Sequence, residues 1–479
     1  MITLKLDSED VATAIKDAKA GLKTTDELTP EFRSSVEKLV ELATKTMGYA
    51  NLNSQNSSLP PAFDPNREKK KNGSSAKTSG GQKGHKGSTL KQVEHPDHII
   101  PIKLKSKDLP QAKSAYREAK PEVRQVIDIK LSRHVTEYQA QVLVDDSGKQ
   151  FIAPFPKEVT KAVQYGKTLK AHAVYLSQHQ LIPYARVCEY FSDQVHLPIS
   201  EGSLYNFTVE AYQQLEAFED LSKQELAQAA VNHADETGIN IGGKRHWLHC
   251  ASNSQWTHYF PHKRRGKIAM DEAGILPDFK GILCHDHWKT YYRYPCLHSL
   301  CNAHHLRELT RVEDQDKHLW ATQLKQWLIK TYKAVEEAGG ALTEQAAKAY
   351  RAEYNALLKT AEKECPPPEQ PPPGKRKKGP LKRTRARNFL ERLFKYQDDV
   401  LRFMEDATVP FTNNAGERDI RMTKVHQKIS GCFRSMPGAQ MFCRIRGYLS
   451  TCRKQHISAS QALNDVFNDR QFAPMTQVA

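Results

Sequence analysis

The feature that most constrains the fold is a change of hydrophobic period between residues 229 and 312. Three strand-like runs come first, separated by Gly-rich or polar turns: AAVNHADET, RHWLHCASN and WTHYFPH. Helices and strands then follow in alternation, through GKIAMDEAGIL, GILCHD, LHSLC and NAHHLRELTRV. This order predicts an α/β layer fold whose first three strands form an antiparallel meander.

Composition limits the class of protein. The chain has 479 residues, 39% hydrophobic and 26% charged, which predicts a folded majority with disordered inserts. The net charge of +16 favours a polyanionic partner, with nucleic acid as the leading candidate. Long apolar runs and a signal-like start are lacking, so we expect neither a membrane span nor secretion. Nine cysteines, an odd number, argue against a disulfide framework and for a reducing cytoplasm.

The patterning divides the chain into successive segments. We expect an N-terminal helical segment (1–50, with an amphipathic helix over 31–48), a basic flexible arm (51–95), a small β-rich module (96–160), a helical region (161–225), the first part of a ribonuclease-H-like core (226–312), a helical insertion (313–408), and the rest of that core with a C-terminal tail (409–479). In the β-rich module, IDIKLS, HVTEYQAQVLV and FIAPFP are the predicted strands.

Two helices in the helical region are joined by a short polar turn, His196 to Glu201, as in a helix-turn-helix. Ser200 and Ser203 are plausible caps of the second helix, whose first exposed turn would present Ser203, Asn206 and Thr208 to DNA. A plain helical hairpin without DNA contact is the alternative.

Basic side chains cluster in two low-complexity stretches. Lys83 and Lys86 belong to the arm. In the insertion, eight basic residues in thirteen (375–387) follow a stretch with six prolines in eight residues (366–373). We expect DNA phosphates to contact these residues: Lys83, Lys86, Lys375, Arg376, Lys377, Lys378 and Arg383. The alternative for both stretches is a solvated segment with no specific role.

Two carboxylates end strand-like runs, Asp235 in ADET and Asp286 in LCHD. If those strands are neighbours, the pair can bridge two divalent ions about 3.5–4 Å apart. Glu417 is the candidate third acid, on a helix where Asn414, Glu417 and Arg421 share one face. Singly, each acid also fits a bland role, as a turn residue or as part of a helix cap and ion pair.

In order and spacing the sequence resembles the insertion-sequence-66 transposases, bacterial members of the DDE transposase and integrase superfamily. The residues that carry the resemblance are NSQNSSLPP (53–61), GGQKGHKG (80–87), Asp235-Glu236-Thr237 with Trp247, Asp286 with Tyr291, CNAHHLREL (301–309), and Asn413-Asn414 leading into Glu417, Arg418 and Arg421. The resemblance covers nearly the whole chain.

The resemblance implies a ribonuclease-H-like core with Asp235, Asp286 and Glu417 as catalytic, metal-binding triad. It implies cleavage at transposon ends and strand transfer into target DNA, with two Mg²⁺ or Mn²⁺ ions and no covalent protein intermediate. Arg418 and Arg421 could hold a non-bridging phosphate. The expected partners are terminal inverted repeats and target DNA, a second copy of the chain and accessory proteins of the same element, in the cytoplasm at the bacterial nucleoid.

Zinc is not expected. Family members usually carry two Cys-x-x-Cys pairs in the small module, whereas this chain has no cysteine before Cys188. A second possible zinc site consists of Cys296, His298, Cys301 and His304. The alternative is that these cysteines are ordinary thiols packed in the core. His285 and His287 flank Asp286 and should point away from it.

Two other functions remain open at this point. A transposase-derived DNA-binding protein or repressor would keep the basic segments and lose the chemistry. Another ribonuclease-H-like nuclease, such as a resolvase, would keep the acids and lack strand transfer.

Overall fold

The computed structural model describes residues 8–24, 29–50, 53, 90–111, 113–117, 119–368, 381, 383–470 and 472. The helices are α1 Ser8–Thr24, α2 Pro30–Ala50, α3 Lys167–Val174, α4 Tyr184–Val195, α5 Glu201–Gln214, α6 Glu216–Gln228, α7 Lys267–Ala273, α8 Asn302–Arg311, α9 Leu319–Glu337, α10 Glu344–Glu364, α11 Arg385–Lys395, α12 Gln397–Leu401, α13 Asn414–Ile429, α14 Met436–Lys454 and α15 Ala459–Phe467. The strands are β1 Val142–Val144, β2 Gln150–Ile152, β3 Val231–Ile241, β4 Lys244–Ser252, β5 Thr257–His262, β6 Ile282–His285 and β7 Leu297–Leu300.

A five-stranded mixed sheet organises the second half of the chain, in the order β5-β4-β3-β6-β7. Strands β3, β4 and β5 pair antiparallel, which confirms the predicted meander. Strand β6 lies parallel to β3 on its other side, and β7 lies parallel to β6. Between β6 and β7 the chain makes only a short 3₁₀ turn, Tyr291–Arg293, so strict alternation of helix and strand is wrong at that point.

Both faces of the sheet are covered because side chains alternate along β3. On one face Ile239 packs with Ile420 of α13 and Phe442 of α14. On the opposite face Ala234 packs with Met270 of α7 and Phe279. The helix that carries Glu417 therefore lies directly against the strand that carries Asp235.

The helical region shares its core with the C-terminal helices. Val187, Phe207 and Leu226, from α4, α5 and α6, lie in one apolar cluster with Ile445 of α14 and Leu463 of α15. Apolar burial on this scale is the main favourable term in folding, so these helices are a packed layer of the same body.

Helices α4 and α5 occupy the positions expected for a helix-turn-helix. The Ser200 hydroxyl accepts a hydrogen bond from the Ser203 amide at 3.1 Å, as an N-cap does. Asn206 is exposed, but Thr208 is buried and its hydroxyl lies 3.0 Å from that of Tyr184. The expectation that Thr208 faces DNA is therefore wrong, because this side of α5 packs inward.

The insertion packs against the sheet edge in one apolar cluster, which joins Trp320, Tyr354 and Phe389 to Ile282 of β6 and Leu300 of β7. Arg387, at the end of the basic run, is buried within it. Its guanidinium donates to the Cys365 carbonyl at 2.9 Å and pairs with Glu362 at 3.1 Å. This arginine ties the start of α11 to the end of α10 and is not a free DNA contact.

Residues 96–160 contain less strand than their pattern predicts. Strands β1 and β2 form a hairpin within the predicted HVTEYQAQVLV and FIAPFP runs, whereas IDIKLS is not a strand. Ile102 and Val126 are 95% and 94% exposed, so these apolar side chains find no core in the described residues.

Two further findings concern the helices. The amphipathic helix predicted over residues 31–48 is confirmed as α2, and α1 precedes it without having been predicted. Among the described residues, none of the helices combines the length and apolarity that a membrane crossing requires.

Candidate functional site

Asp235 and Asp286 come from neighbouring parallel strands in matching register. The β3–β6 pairing aligns His233 with Cys284, and each aspartate lies two residues further along its own strand direction. Alternation therefore brings the two carboxylates to the same side of the sheet, at the point where β6 ends. The structure thus brings the two aspartates together, although only Asp286 follows the end of its strand. The prediction that Asp235 ends a strand is wrong, because β3 continues to Ile241 and pairs Asp235 with Cys250 of β4.

The carboxyl group of Asp235 lies in a strongly unfavourable place for a negative charge. Burial, together with the neighbouring carboxylates of Glu236, Asp286 and Glu417, raises its pKa to about 8. The hydrogen bond that its Oδ1 accepts from the Glu236 amide, at 2.9 Å, opposes this only in part. A site that concentrates acids in this way is suited to a cation.

Asn413 fixes the start of α13 against the sheet. Its Nδ2 donates to the Ala234 carbonyl at 2.9 Å, and its Oδ1 accepts from His233 Nδ1 at 2.7 Å. The backbone N–H of Asn413 donates to the Cys301 sulfur at 3.1 Å. The side chain is almost wholly buried, and its bonds set the position of Glu417 one turn further on.

Gly416 permits this close approach of helix and strand. A Cβ at this position would lie 3.1 Å from Asn413 Oδ1 and 3.2 Å from the His233 Cβ. Both neighbours are held by hydrogen bonds and have little room to move. The sequence NNAGER therefore places a small residue at the contact and an acid immediately after it.

Glu417 is surrounded by groups from α8. Its Oε1 lies 3.6 Å from His304 Nδ1, 4.0 Å from the Arg307 guanidinium and 3.9 Å from the Cys301 sulfur. Burial and Arg307 lower the pKa of His304, while burial raises that of the Cys301 thiol. Arg421, which shares a face with Glu417, is exposed and forms no ion pair with it among the described contacts.

Cys301, His304 and Glu417 form a compact donor group. Their ligand atoms lie within 4.8 Å of one another, a spacing unique among the described His, Cys, Asp and Glu side chains. The carboxylates of Asp235, Asp286 and Glu417 do not all lie within that distance of one another. The four-residue zinc site considered from sequence is divided, because His298 instead faces His285, with ring nitrogens 3.1 Å apart.

His285 and His287 are packing residues, as alternation predicted. His285 is fully buried and packs at a tilt against Tyr291, with ring centroids 4.8 Å apart. His287 packs edge-on against Tyr396, with centroids 4.5 Å apart. Burial lowers the pKa of both imidazoles, so both are neutral near pH 7.

A second network lies on the opposite face of β3. The Glu236 carboxylate is almost completely buried and accepts hydrogen bonds from Arg265 and from the Tyr291 hydroxyl, each at 2.5 Å. Burial raises the pKa of Glu236, and these hydrogen bonds oppose that rise. The Arg265 guanidinium in turn lies 4.9 Å from the ring centre of Trp247 and 4.3 Å from that of Trp288.

Several residues of this network lie close to the two aspartates in the sequence. Glu236 directly follows Asp235, while Trp288 and Tyr291 closely follow Asp286. Sequence reasoning noted Glu236, Trp247 and Tyr291 as motif residues without a role and missed the other two. Their signal was weak, since an arginine after a strand and a tryptophan after an aspartate are common.

The predicted phosphate-binding residues fall into different environments. Arg418 and Arg421 are exposed on α13 near Glu417, where a DNA strand could reach them. Arg383 is paired with Glu391 at 2.9 Å. The remaining predicted contacts lie outside the described residues: Lys83, Lys86, Lys375, Arg376, Lys377 and Lys378.

The fold and site can now be compared with known proteins. The family model described as "Transposase IS66 family" matches residues 162–441, more than half of the chain. The protein therefore belongs to the IS66 family of transposases, enzymes that act on DNA. No curated protein matches the chain significantly.

Proposed function

We propose that the chain is a DDE transposase with a ribonuclease-H-like core, in which Asp235, Asp286 and Glu417 are the catalytic carboxylates. The observation that carries this proposal is the convergence of two aspartates from adjacent parallel strands with a glutamate from the helix packed on the same face. The strand order β5-β4-β3-β6-β7, with an antiparallel meander beside two parallel strands, supports the core assignment.

The donor set fits divalent metal ions of the magnesium type. All three groups offer carboxylate oxygens, which Mg²⁺ and Mn²⁺ prefer. Their mutual repulsion is visible in the raised pKa of Asp235, and a bound cation would relieve it. When bound, two such ions would activate water or a 3′ hydroxyl and stabilise the leaving oxygen.

The reaction comprises hydrolysis at the transposon ends, which releases a 3′ hydroxyl, and attack of that hydroxyl on target DNA. Phosphoryl transfer of this kind depends mainly on positioning and electrostatics. In this chain Asn413 and Gly416 position Glu417, and the Glu236–Arg265–Tyr291 network fixes the loop after Asp286. Arg418 and Arg421 are placed to bind a phosphate oxygen.

DNA recognition is assigned to surfaces outside this centre. Helix α5, which Ser200 caps, presents Asn206 at an exposed position in its second turn, as a recognition helix would. The arm over 51–95 and the run Lys375–Lys378 would add sequence-independent phosphate contacts. Pairing of two transposon ends calls for a homo-oligomer, and partner proteins of the same bacterial element could assist.

The test is a cleavage and strand-transfer assay on DNA that carries the inverted repeats flanking the gene. It compares Mg²⁺, Mn²⁺ and EDTA, and wild type with Asp286→Ala. Asp278→Ala is the matched control, because Asp278 is an exposed acid near the sheet. We expect metal-dependent 3′ hydroxyl release and joined product, lost in Asp286→Ala and retained in the control.

Each other result has a defined meaning. Cleavage retained by Asp286→Ala would refute the triad. DNA binding without either reaction, under all metals, would favour a repressor-like protein or an absent partner protein. Cleavage without joining would favour a nuclease of the resolvase kind.

A further inference from the structure

A cavity lies along one edge of β3, beginning one residue after Asp235 of the proposed catalytic centre. Pairing between β3 and β6 ends at His233, so from Asp235 to Ile239 no described strand covers this edge. This edge of β3 is paired again only at Ile241, which forms an isolated β-bridge with Phe433. The cavity has a volume of about 830 Å³ and begins at Glu236, the residue next to Asp235.

Three cationic side chains line the cavity: Arg245, Arg265 and Lys424. Lys424 comes from α13 and donates to the Gly238 carbonyl at 2.8 Å, at the uncovered edge. The Arg245 side chain lies across Gly238, so that a Cβ at position 238 would be only 3.3 Å from the Arg245 Nε. The Arg245 guanidinium carbon also lies 4.7 Å from the ring centre of Trp247. Absence of a side chain at position 238 therefore gives Arg245 its place.

The cavity has an excess of positive charge. Glu236 is its one acidic lining residue, and that carboxylate is already bound by Arg265 and Tyr291. Arg245 and Lys424 have no carboxylate partner among the described ion pairs. Burial, and next the nearby Arg245, lowers the pKa of Lys424.

We propose that this cavity binds the sugar-phosphate backbone of the DNA strand that leads away from the scissile phosphate. Arg245 and Lys424 would each contact a phosphate, and Arg265, already neutralised by Glu236, would shape the wall with Trp247. The inference rests on the proposed function, since it takes Asp235 as the point where the strand enters. Its position beside Glu236, the residue that follows Asp235, separates this subsite from the basic arm and loop.

The test combines protein variants with neutralised phosphates. The probe is the inverted-repeat duplex with single methylphosphonates at successive positions on both sides of the cleavage point, with binding measured in EDTA. Arg245→Gln and Lys424→Met remove the charges. Lys359→Met is the matched control, because Lys359 is an exposed cation in the insertion. Arg245→Lys and Lys424→Arg keep the charges, and thermal melting shows that each variant is folded.

We expect neighbouring methylphosphonates on one side of the cleavage point to weaken binding by wild type and by Lys359→Met. The same positions should have no further effect on the double variant Arg245→Gln/Lys424→Met. The salt slope of log Kd should fall by about 2 in that variant, one for each lost phosphate contact. Inorganic phosphate should compete no better than another salt of the same ionic strength.

The proposed subsite would be overturned if each methylphosphonate weakened DNA binding by the double variant as much as it weakens binding by wild type. So would an equal fall of the salt slope in Lys359→Met, which would indicate a general effect of net charge. Failure of the transposase proposal would give a different result from failure of the proposed subsite. In that case wild type would bind the repeat without cutting it in Mg²⁺ or Mn²⁺, while the binding data in EDTA would still decide whether the cavity holds phosphates.

Discussion

Replacement of Asp235 by asparagine should stabilise the metal-free protein, although it removes a proposed catalytic group. The pKa of Asp235 rises from 3.8 to about 8 on folding. The folded state therefore keeps its proton at pH values where the unfolded chain has lost it. Stability from this group is fully present below about pH 4 and is lost as the pH rises towards 8.

The size of the effect follows from this shift. Between pH 3.8 and pH 7 the loss approaches about 4 kcal/mol, at about 1.4 kcal/mol for each pH unit. Because Asp235 is not completely buried, we expect about 2–4 kcal/mol. Asparagine keeps an oxygen to accept the Glu236 amide hydrogen bond and carries no charge at any pH.

The assay is thermal and urea unfolding in EDTA from pH 4 to pH 8, comparing wild type with Asp235→Asn. The two should unfold alike near pH 4, and the variant should be increasingly more stable towards pH 8. Addition of Mg²⁺ should stabilise wild type more than the variant. Asp271→Asn is the control, because Lys267 lowers the pKa of Asp271 and no gain should appear. Equal stability of wild type and Asp235→Asn at every pH would refute the electrostatic account.

Three further predictions follow from particular contacts. Gly416→Val should strain the approach to Asn413, cost about 1–3 kcal/mol of unfolding free energy and reduce cleavage more than DNA binding, as measured by urea unfolding and gel assays. Tyr291→Phe should leave an oxygen of Glu236 without its hydrogen bond and lower the unfolding free energy by about 1–3 kcal/mol; unchanged stability would show that the bond contributes little. Serine at all four positions of 375–378 should flatten the salt dependence of DNA binding, and an unchanged slope would show that this run does not contact DNA.

The sheet was predictable from sequence because its signal is local. Alternation identified the strands around Asp235 and Asp286, and the short turns between the first three strands required an antiparallel meander. The sequence could not show whether the strands carrying Asp235 and Asp286 are neighbours. In the structure they pair directly, in parallel. The approach of Glu417 followed from the family resemblance rather than from any local pattern.

Contacts between distant segments could not be predicted. Thr208 was expected at an exposed position, yet α5 buries it beside Tyr184 because α4 packs there. Arg387 was counted with a basic run expected to contact DNA or to be solvated, yet Glu362 and a backbone carbonyl bind it. In each case a polar side chain satisfies its hydrogen bonds with partners that lie elsewhere in the sequence.

The tether at Asn413 has a consequence for the newly synthesised protein. His233, Ala234 and Cys301, the three groups that Asn413 binds, leave the ribosome long before it does. Until then the strands carrying Asp235 and Asp286 have no third acid beside them. Under the proposed mechanism a nascent or prematurely terminated chain could hold DNA and not cut it. The cell would thus meet a working nuclease only after the C-terminal helices had been made and docked.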